Sequence, residues 1–367
     1  MKKTVVIAGS GFGGIDAALN LRKNNKNINI VVIDQSPFFT YQISLHEIIS
    51  GKVKPKNIRI DLAKLYKKKN IQFFKEEIVR VDPLEKSIIT RSRKVNFDYL
   101  VVGVGSVTNY MGVPSAKEHS FDIKNLNSAV QIKKRVLNDL KKAEHYNKPL
   151  NLVVCGGGLT GVEVAAELAD LSKGKTNVIL IESSPNIMKG FKKEAIQYTE
   201  KVLKKKGINI KKNVFVKKAE KDKVVLSNGE TIYSNTFIWC CGVKPNPVTY
   251  KLGLRTNEKG ALMVNEFLQT GFKQIYAFGD CSYMYKKPQP ATALMAIQQG
   301  RVIANNIIAD INGEKKEVFT VEDWPYLIAL GKRRAIMIRH NRIKKGLLPA
   351  IIKKFIEKQY LLTKKYW

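Results

Sequence analysis

The chain has 367 residues, 44% of them hydrophobic and 26% charged. That excludes a disordered polymer and is too long for one small core, so two or three domains are expected. The 64 Lys and Arg against 31 Asp and Glu leave a formal charge of +33, an excess that favours anionic partners and says nothing of fold.

The first element is a strand over Thr4–Ala8 that runs into Gly9, Gly11 and Gly14, a G-x-G-x-x-G turn opening a helix. In such a turn the first glycine permits the bend. The second lets backbone approach a pyrophosphate, and the third packs helix on strand. The helix N-terminus beyond it favours negative charge. MKK and the apolar residues after it could imitate a signal peptide, but Gly9, Gly11, Gly13, Gly14 and Asp16 interrupt the run. The next apolar strand, INIVVID, ends at Asp34, 20 residues after Gly14, where an acid would accept hydrogen bonds from ribose hydroxyls. A candidate hairpin, KSIITRSRKVNF, follows, and then a buried strand and glycine turn in DYLVVGVGSVTN, with Gly103 and Gly105.

The same order then recurs. LVVC leads into Gly156, Gly158 and Gly161, and the strand NVILIE ends at Glu182, 21 residues after Gly161. An acid there suits a free 2′-hydroxyl and repels a 2′-phosphate, so NADH is expected over NADPH. KVVLSNGETIY carries Asn228-Gly229, which predicts a type I′ hairpin, and TFIWCCGVKPN closes the unit at Gly242. Two turns that merely need glycine would leave both acids unexplained. The expected architecture is α/β, two Rossmann-like dinucleotide-binding domains with one inserted in the other. One nucleotide would be a resident cofactor and the other a visiting substrate. The expected division is 1–110 with 236–310, then 111–235, then a C-terminal region from 311 to 367.

The remaining signals are weaker. Cys155, Cys240, Cys241 and Cys281 form no C-x-x-C, and with four scattered histidines they give no zinc-like spacing. No metal or disulfide framework is expected, and a reducing cytoplasm fits. The lysine runs 67–69 and 204–206 read as solvated faces, with no nucleic-acid motif. No stretch approaches the roughly 18 to 20 apolar residues of a membrane span. The tail, GLLPAIIKKFIEKQYLLTKKYW, puts Leu348, Ile351, Ile352, Phe355, Leu362 and Tyr366 at helical spacing. Lys353, Lys354, Lys358, Lys364 and Lys365 fill much of the rest, and Tyr366-Trp367 end it. A basic amphipathic helix with terminal aromatics suits a membrane interface, each Lys near an anionic leaflet contributing about 1 kcal/mol. The alternative is a helix packed on its own core or on a second copy of the chain, as in a homodimer.

These residues carry a resemblance. GSGFGG, PFFTYQISLHEIISG, FDYLVVGVGSVTNYMGVP, CGGGLTGVEVAAEL, WCCGVKPNP, IYAFGDCS and PATALMAIQQG, spread from Thr4 to Ile307, are similar to the two-dinucleotide-binding-domain flavoproteins. Within them the chain resembles type II NADH dehydrogenase, the single-chain NADH:quinone oxidoreductase. The resemblance implies FAD on the first copy, with Gly9, Gly11, Gly13, Gly14, Asp34, Thr40, Gln42, Gly105, Gly279 and Asp280 as its contacts. It implies NADH on the second, with Gly156, Gly158, Gly161, Glu182 and Gly242. Glu163 matches an acid near the meeting of nicotinamide and flavin, although a helix-start carboxylate favoured by the dipole is the plainer reading. Gln298 matches the second glutamine of the family's A-Q-x-A-x-Q quinone helix. Leu294 stands where the first glutamine should be, so Ala293, Leu294, Ile297 and Gln298 would line a quinone site with one amide lost. Gln298 and Gln299 could also be surface amides of that helix.

The implied activity is ping-pong electron transfer from NADH through flavin to a membrane quinone, without proton pumping. The enzyme would sit peripherally on the cytoplasmic face of the cell membrane. Two other readings compete. Sulfide:quinone oxidoreductase shares the fold, but none of the four cysteines matches its sulfur-carrying pair. A non-catalytic NADH sensor or anionic-surface binding protein is the alternative of another class.

Overall fold

The computed structural model describes residues 2–234, 236–340 and 342–366. The chain forms two compact units, each assembled from three separate segments.

The first unit, Met1–Thr40, Arg59–Val107 and Val243–Glu322, is built on five parallel strands. Their order is Ile275–Ala277, Tyr99–Val102, Thr4–Ala8, Asn29–Asp34 and Gln72–Lys75. The strands are near-continuous apolar runs because helices cover parallel sheets on both faces. Val5, Val6, Ile7, Val101 and Val102 are fully buried. Helix Phe12–Asn24 follows the first strand, and helix Ala293–Asn312 packs against it at unusually close range. The closeness needs glycine on both sides. A Cβ at Gly13 would strike the Ala296 carbonyl and the Phe278 ring, and one at Gly300 would strike the Gly13 carbonyl. Gly300→Ala is therefore expected to cost about 1 to 3 kcal/mol through overpacking, read as a lower midpoint in thermal unfolding followed by circular dichroism. An unchanged midpoint would mean that the two helices part freely.

The second unit is Tyr41–Ile58, Thr108–Gly242 and Asp323–Trp367. Its five parallel strands run in the order Phe121–Asp122, Thr236–Trp239, Leu150–Cys155, Thr176–Ile181 and Asn209–Lys211. In both sheets the strand before the glycine turn lies between the strand that follows its helix and a later strand of the unit, Tyr99–Val102 in the first and Thr236–Trp239 in the second. Each unit also has a three-stranded antiparallel meander. One is Ile78–Asp82, Ser87–Thr90 and Lys94–Asn96, and the other is Val216–Ala219, Lys223–Leu226 and Thr231–Tyr233.

Three expectations need correction. The hairpin at Asn228-Gly229 is not type I′, which needs positive φ at both central residues. Gly229 has φ +86° and donates to the Leu226 carbonyl at 3.0 Å, whereas Asn228 is not left-handed. Leu226 N–H closes the loop on the Glu230 carbonyl at 2.8 Å, so this is a three-residue loop ending on a left-handed glycine. The expected boundary at 236 falls inside the second sheet, because strand Thr236–Trp239 pairs with Leu150–Cys155. The C-terminal segment does not stand apart as a region from 311. Strands Tyr326–Ala329, Ala335–Arg339 and Arg342–Gly346 form an antiparallel sheet within the second unit, followed by helix Leu347–Tyr366.

Candidate nucleotide sites and a buried charge cluster

The two glycine turns are superimposable in their reasons. Gly9 has φ +104° and Gly156 φ +101°, a region open to glycine and strained for other residues. A Cβ at either would also meet backbone, Gly103 in the first turn and the Cys240 carbonyl, at 2.6 Å, in the second. Gly14 and Gly161 bring their helices so close that a Cβ would strike the carbonyls of Gly9 and Gly156. Gly11 and Gly158 differ. Each caps its helix without a side-chain hydrogen bond, and a Cβ there would meet nothing within 4 Å. Neither helix has an acid in its first turn. Each N-terminus therefore presents free N–H groups and the positive end of a dipole to open space, the arrangement that receives a phosphate. Gly13 is placed differently, since its missing side chain serves the packing on Ala296 and Phe278 described above.

The two acids also repeat each other. Asp34 Oδ2 accepts from Ser10 N–H at 2.6 Å and Oδ1 from Ser36 N–H at 2.7 Å. Glu182 Oε2 accepts from Gly157 N–H and Oε1 from Ser184 N–H, both at 2.7 Å. Each carboxylate fastens the turn of its own unit, and Glu182 Oε1 also accepts from Ser183 Oγ at 3.3 Å. Burial raises the Asp34 pKa, opposed by the two backbone donors. Ser10, in the first turn, also bonds Tyr66 Oη at 2.5 Å.

Other expected contacts fall at turns. Gly105 (φ +68°) has open space beside it, and Gly279 (φ +66°) begins the turn that holds Asp280. Asp280 Oδ2 accepts from Ser106 Oγ at 2.5 Å, and Gly279 N–H donates to Gln299 Oε1 at 2.8 Å. Gly242 (φ +111°) accepts from Asn109 N–H at 3.1 Å. Thr40 ends strand Phe38–Thr40 in the first unit. Gln42 belongs to the second, is exposed, and donates to the Lys124 carbonyl at 3.1 Å. Gln298 and Gln299 are not surface amides, because both are buried. Gln298 uses both ends of its amide on Glu322, donating to the carbonyl and accepting from the N–H, each at 3.0 Å. Ala293 and Leu294 are half-buried in the first turn of that helix, capped by Thr292, and Ile297 is buried.

Glu163 is no simple helix-start carboxylate. Within the second unit it sits at the centre of a cluster drawn from four elements. His46 Nδ1 lies 3.6 Å from its Oε2, Lys353 Nζ 3.7 Å from its Oε1, and Ala329 N–H donates to Oε1 at 3.0 Å. Lys353 also binds Glu357 at 2.5 Å, and Lys52 binds the buried Glu167 at 2.6 Å. Burial pushes the Glu163 carboxyl up to about 7, against the pull of Lys353 and the Ala329 N–H. Glu47 is likewise pushed up to about 7 by burial and by Glu357. Burial opposes the charge on Lys353, but Glu163 and Glu357 outweigh it and lift the ammonium to about 12. His46 is held neutral by burial and then by Lys353 and Lys52, and its buried Nε2 has no hydrogen-bond partner. The Glu163 side chain keeps 12% of its surface exposed.

His46, Glu47, Lys52, Lys353 and Glu357 escape the sequence reading, which places Lys353 on a membrane-facing surface. Lys353 and Lys364 depart from that expectation, and the apolar row does not. Lys353, Glu357 and Lys364 are buried, while Leu347, Leu348, Ile351, Phe355, Ile356 and Leu362 are exposed, Phe355 at 67%. Trp367 and the Tyr366 side chain lie outside the described residues. Among the described residues no helix is long and apolar enough to cross a membrane, and no group of three His, Cys, Asp or Glu is arranged to hold a metal ion.

A family model described as pyridine nucleotide-disulphide oxidoreductase matches residues 3–300. Over 97% of its length the chain is 26% identical to a type II NADH:quinone oxidoreductase of Staphylococcus aureus, covering 94% of that protein. Among solved structures, NDH2 of Plasmodium falciparum in complex with NADH matches with a TM-score of 0.88 and 20% identity, covering 100% of this chain and 98% of that one. The sulfide:quinone oxidoreductase of Aquifex aeolicus also gives 0.88, at 24% identity, covering 99% and 91%.

Proposed function

Because the chain belongs to the pyridine nucleotide-disulphide oxidoreductase family, we propose that it is an FAD-dependent enzyme carrying electrons from NADH to a membrane quinone. The observation that carries the reading is the doubled turn. Two helix N-termini face open space at Gly11 and Gly158, each beside an acid fastened to its turn. The first turn would hold the FAD pyrophosphate, with Asp34 on the ribose and Asp280 toward the ribityl chain. The second would hold NADH, with Glu182 on the adenosine ribose. When bound, FAD supplies a ring that takes two electrons from a hydride donor and gives them to a different acceptor. NADH and quinone then react in separate half-reactions, in ping-pong order and with no proton pumping. Reduction of a quinone also consumes two protons. Glu163, balanced near 7, can hold one at neutral pH and release it, while Lys353 stays charged and orients the carboxylate.

Glu182 sets the choice of coenzyme. Glu182→Gln keeps an oxygen to accept from Gly157 but removes the charge that repels a 2′-phosphate. The ratio of kcat/KM for NADH over NADPH is expected to fall about tenfold, or 1.4 kcal/mol. An unchanged ratio would take Glu182 out of the coenzyme site.

The tail supplies the membrane contact. The exposed row Leu347, Leu348, Ile351, Phe355 and Ile356 on its helix is flanked by exposed Lys354 and Lys358. Apolar side chains rimmed by lysine suit the headgroup boundary of an anionic leaflet, such as the cytoplasmic face of the cell membrane. The double variant Ile351→Glu with Phe355→Glu should stay in solution when anionic vesicles are sedimented, while the wild type goes down with them. Cosedimentation of both would refute the contact. Deleting the tail is a poorer test, because it removes Lys353 and Glu357 from the buried cluster.

A further inference from the structure

We propose that Cys155 and Cys241 are an oxidisable dithiol, a modification site that closes to a disulfide under peroxide and weakens the neighbouring turn's hold on NADH. All four cysteines are free thiols, yet Cys155 Sγ and Cys241 Sγ lie 2.9 Å apart, short of bonding at about 2.05 Å but needing little movement. Their strands fix this approach. Cys155 pairs in register with Trp239, and Cys240 N–H donates to the Cys155 carbonyl at 2.7 Å. Successive residues point to opposite sides of extended chain. Cys240 therefore turns its Cβ toward Gly161, while Cys241 packs on the apolar cluster that contains Cys155 and Trp239.

The two thiols have different parts. Cys155 is buried, and its hydrogen bond with Cys241, followed by burial, holds its pKa well above the ordinary value. The partly exposed Cys241 is then the group that meets oxidant. The Cys241 thiol gives up its proton, its sulfur attacks hydrogen peroxide and breaks the O–O bond, and the departing hydroxide takes up that proton, leaving a sulfenic acid and water. The Cys155 sulfur next attacks Cys241, the S–S bond forms, and the hydroxyl leaves with the Cys155 proton as a second water. The two thiols lose two electrons and two protons in all, and one peroxide becomes two waters. A small dithiol reverses the change.

Closure would act on the second glycine turn. Cys155 directly precedes Gly156, and the Cys240 carbonyl stands 2.6 Å from where a Gly156 Cβ would be, so the Cys240–Cys241 backbone and the turn have no slack between them. Drawing the sulfurs together should shift the N–H groups of Gly156 and Gly157. The effect on NADH rests on the assignment proposed above, whereas the dithiol does not.

The test uses the full chain treated with hydrogen peroxide, alkylated without reduction and digested. Mass spectrometry should find a Cys155–Cys241 cross-linked peptide that dithiothreitol abolishes and that is absent from both Cys241→Ser and Cys155→Ala. Titration should show NADH binding about tenfold weaker in the oxidised wild type and unaffected by peroxide in the two variants. A Cys240–Cys241 link, or sulfinic acid on Cys241 without any cross-link, would overturn the proposal. So would full cross-linking with unchanged NADH affinity. If the cross-link forms and the reduced chain also fails to bind NADH, the coenzyme assignment falls and the dithiol stands.

Discussion

Lys353→Met is expected to destabilise the chain by about 3 to 5 kcal/mol, the cost of leaving a buried partner charge unpaired. The substitution preserves volume but removes the ammonium that faces Glu163 and Glu357. Its signature is a pH dependence. Folded Glu163 and Glu47 titrate near 7, raised from an ordinary 4.5. A folded state that holds protons more tightly than the unfolded chain loses stability as pH rises, here between about 4.5 and 7. Without Lys353 the burial of Glu163 loses the larger of its two opponents, the Ala329 N–H remaining, and the fall continues to higher pH. The Lys353 contribution itself is full below 10.5 and is lost as pH climbs through about 12. Urea unfolding at about pH 5.5 and about pH 8 should show the larger deficit at the higher pH. Equal deficits would mean that Glu163 and Lys353 are not coupled.

Gly158→Val should separate folding from coenzyme binding. Gly158 has φ −68°, which any residue adopts, and the space for its Cβ is open. The lost N-cap glycine costs about 1 kcal/mol or less, so the protein folds and keeps its flavin. The valine would nevertheless occupy the space in front of the helix where the NADH pyrophosphate is proposed to sit. NADH affinity should fall about a hundredfold or more, or 2.7 kcal/mol, in an anaerobic binding titration. The mirror substitution, Gly11→Val, should instead yield protein with little flavin. Undiminished NADH affinity in Gly158→Val would remove the second turn from the site.

Both turns are legible in the sequence because each is local. Strand, glycines, helix and acid follow one another within about 30 residues, the span of one βαβ unit. What is missed is set by long-range contact. Strand Thr236–Trp239 reads correctly as buried, but its neighbour in the sheet is more than 80 residues away, at Leu150–Cys155. Asn228-Gly229 signals a turn, yet the backbone of Asn228, which decides the type, is not written in the dipeptide. Helical spacing finds both faces of the tail but not which one the protein buries. Lys353 and Lys364 are on the inner face, and for Lys353 the distant Glu163, together with Glu357 one turn on, explains it. Likewise His46 and Glu47 stand inside the apolar run Leu45–Ile49, the single local hint that charge is being placed in a core. The partner of Cys155 is decided by strand register, and no spacing of cysteines points to it.

The most direct measurement is anaerobic. The purified protein, with its visible flavin spectrum recorded, receives NADH, NADPH or sulfide in separate cuvettes, followed by a short-chain quinone. Rapid bleaching by NADH, slower bleaching by NADPH and recovery on adding quinone are expected. Bleaching by sulfide with none by NADH would contradict the assignment of the second turn and move the function to sulfide oxidation.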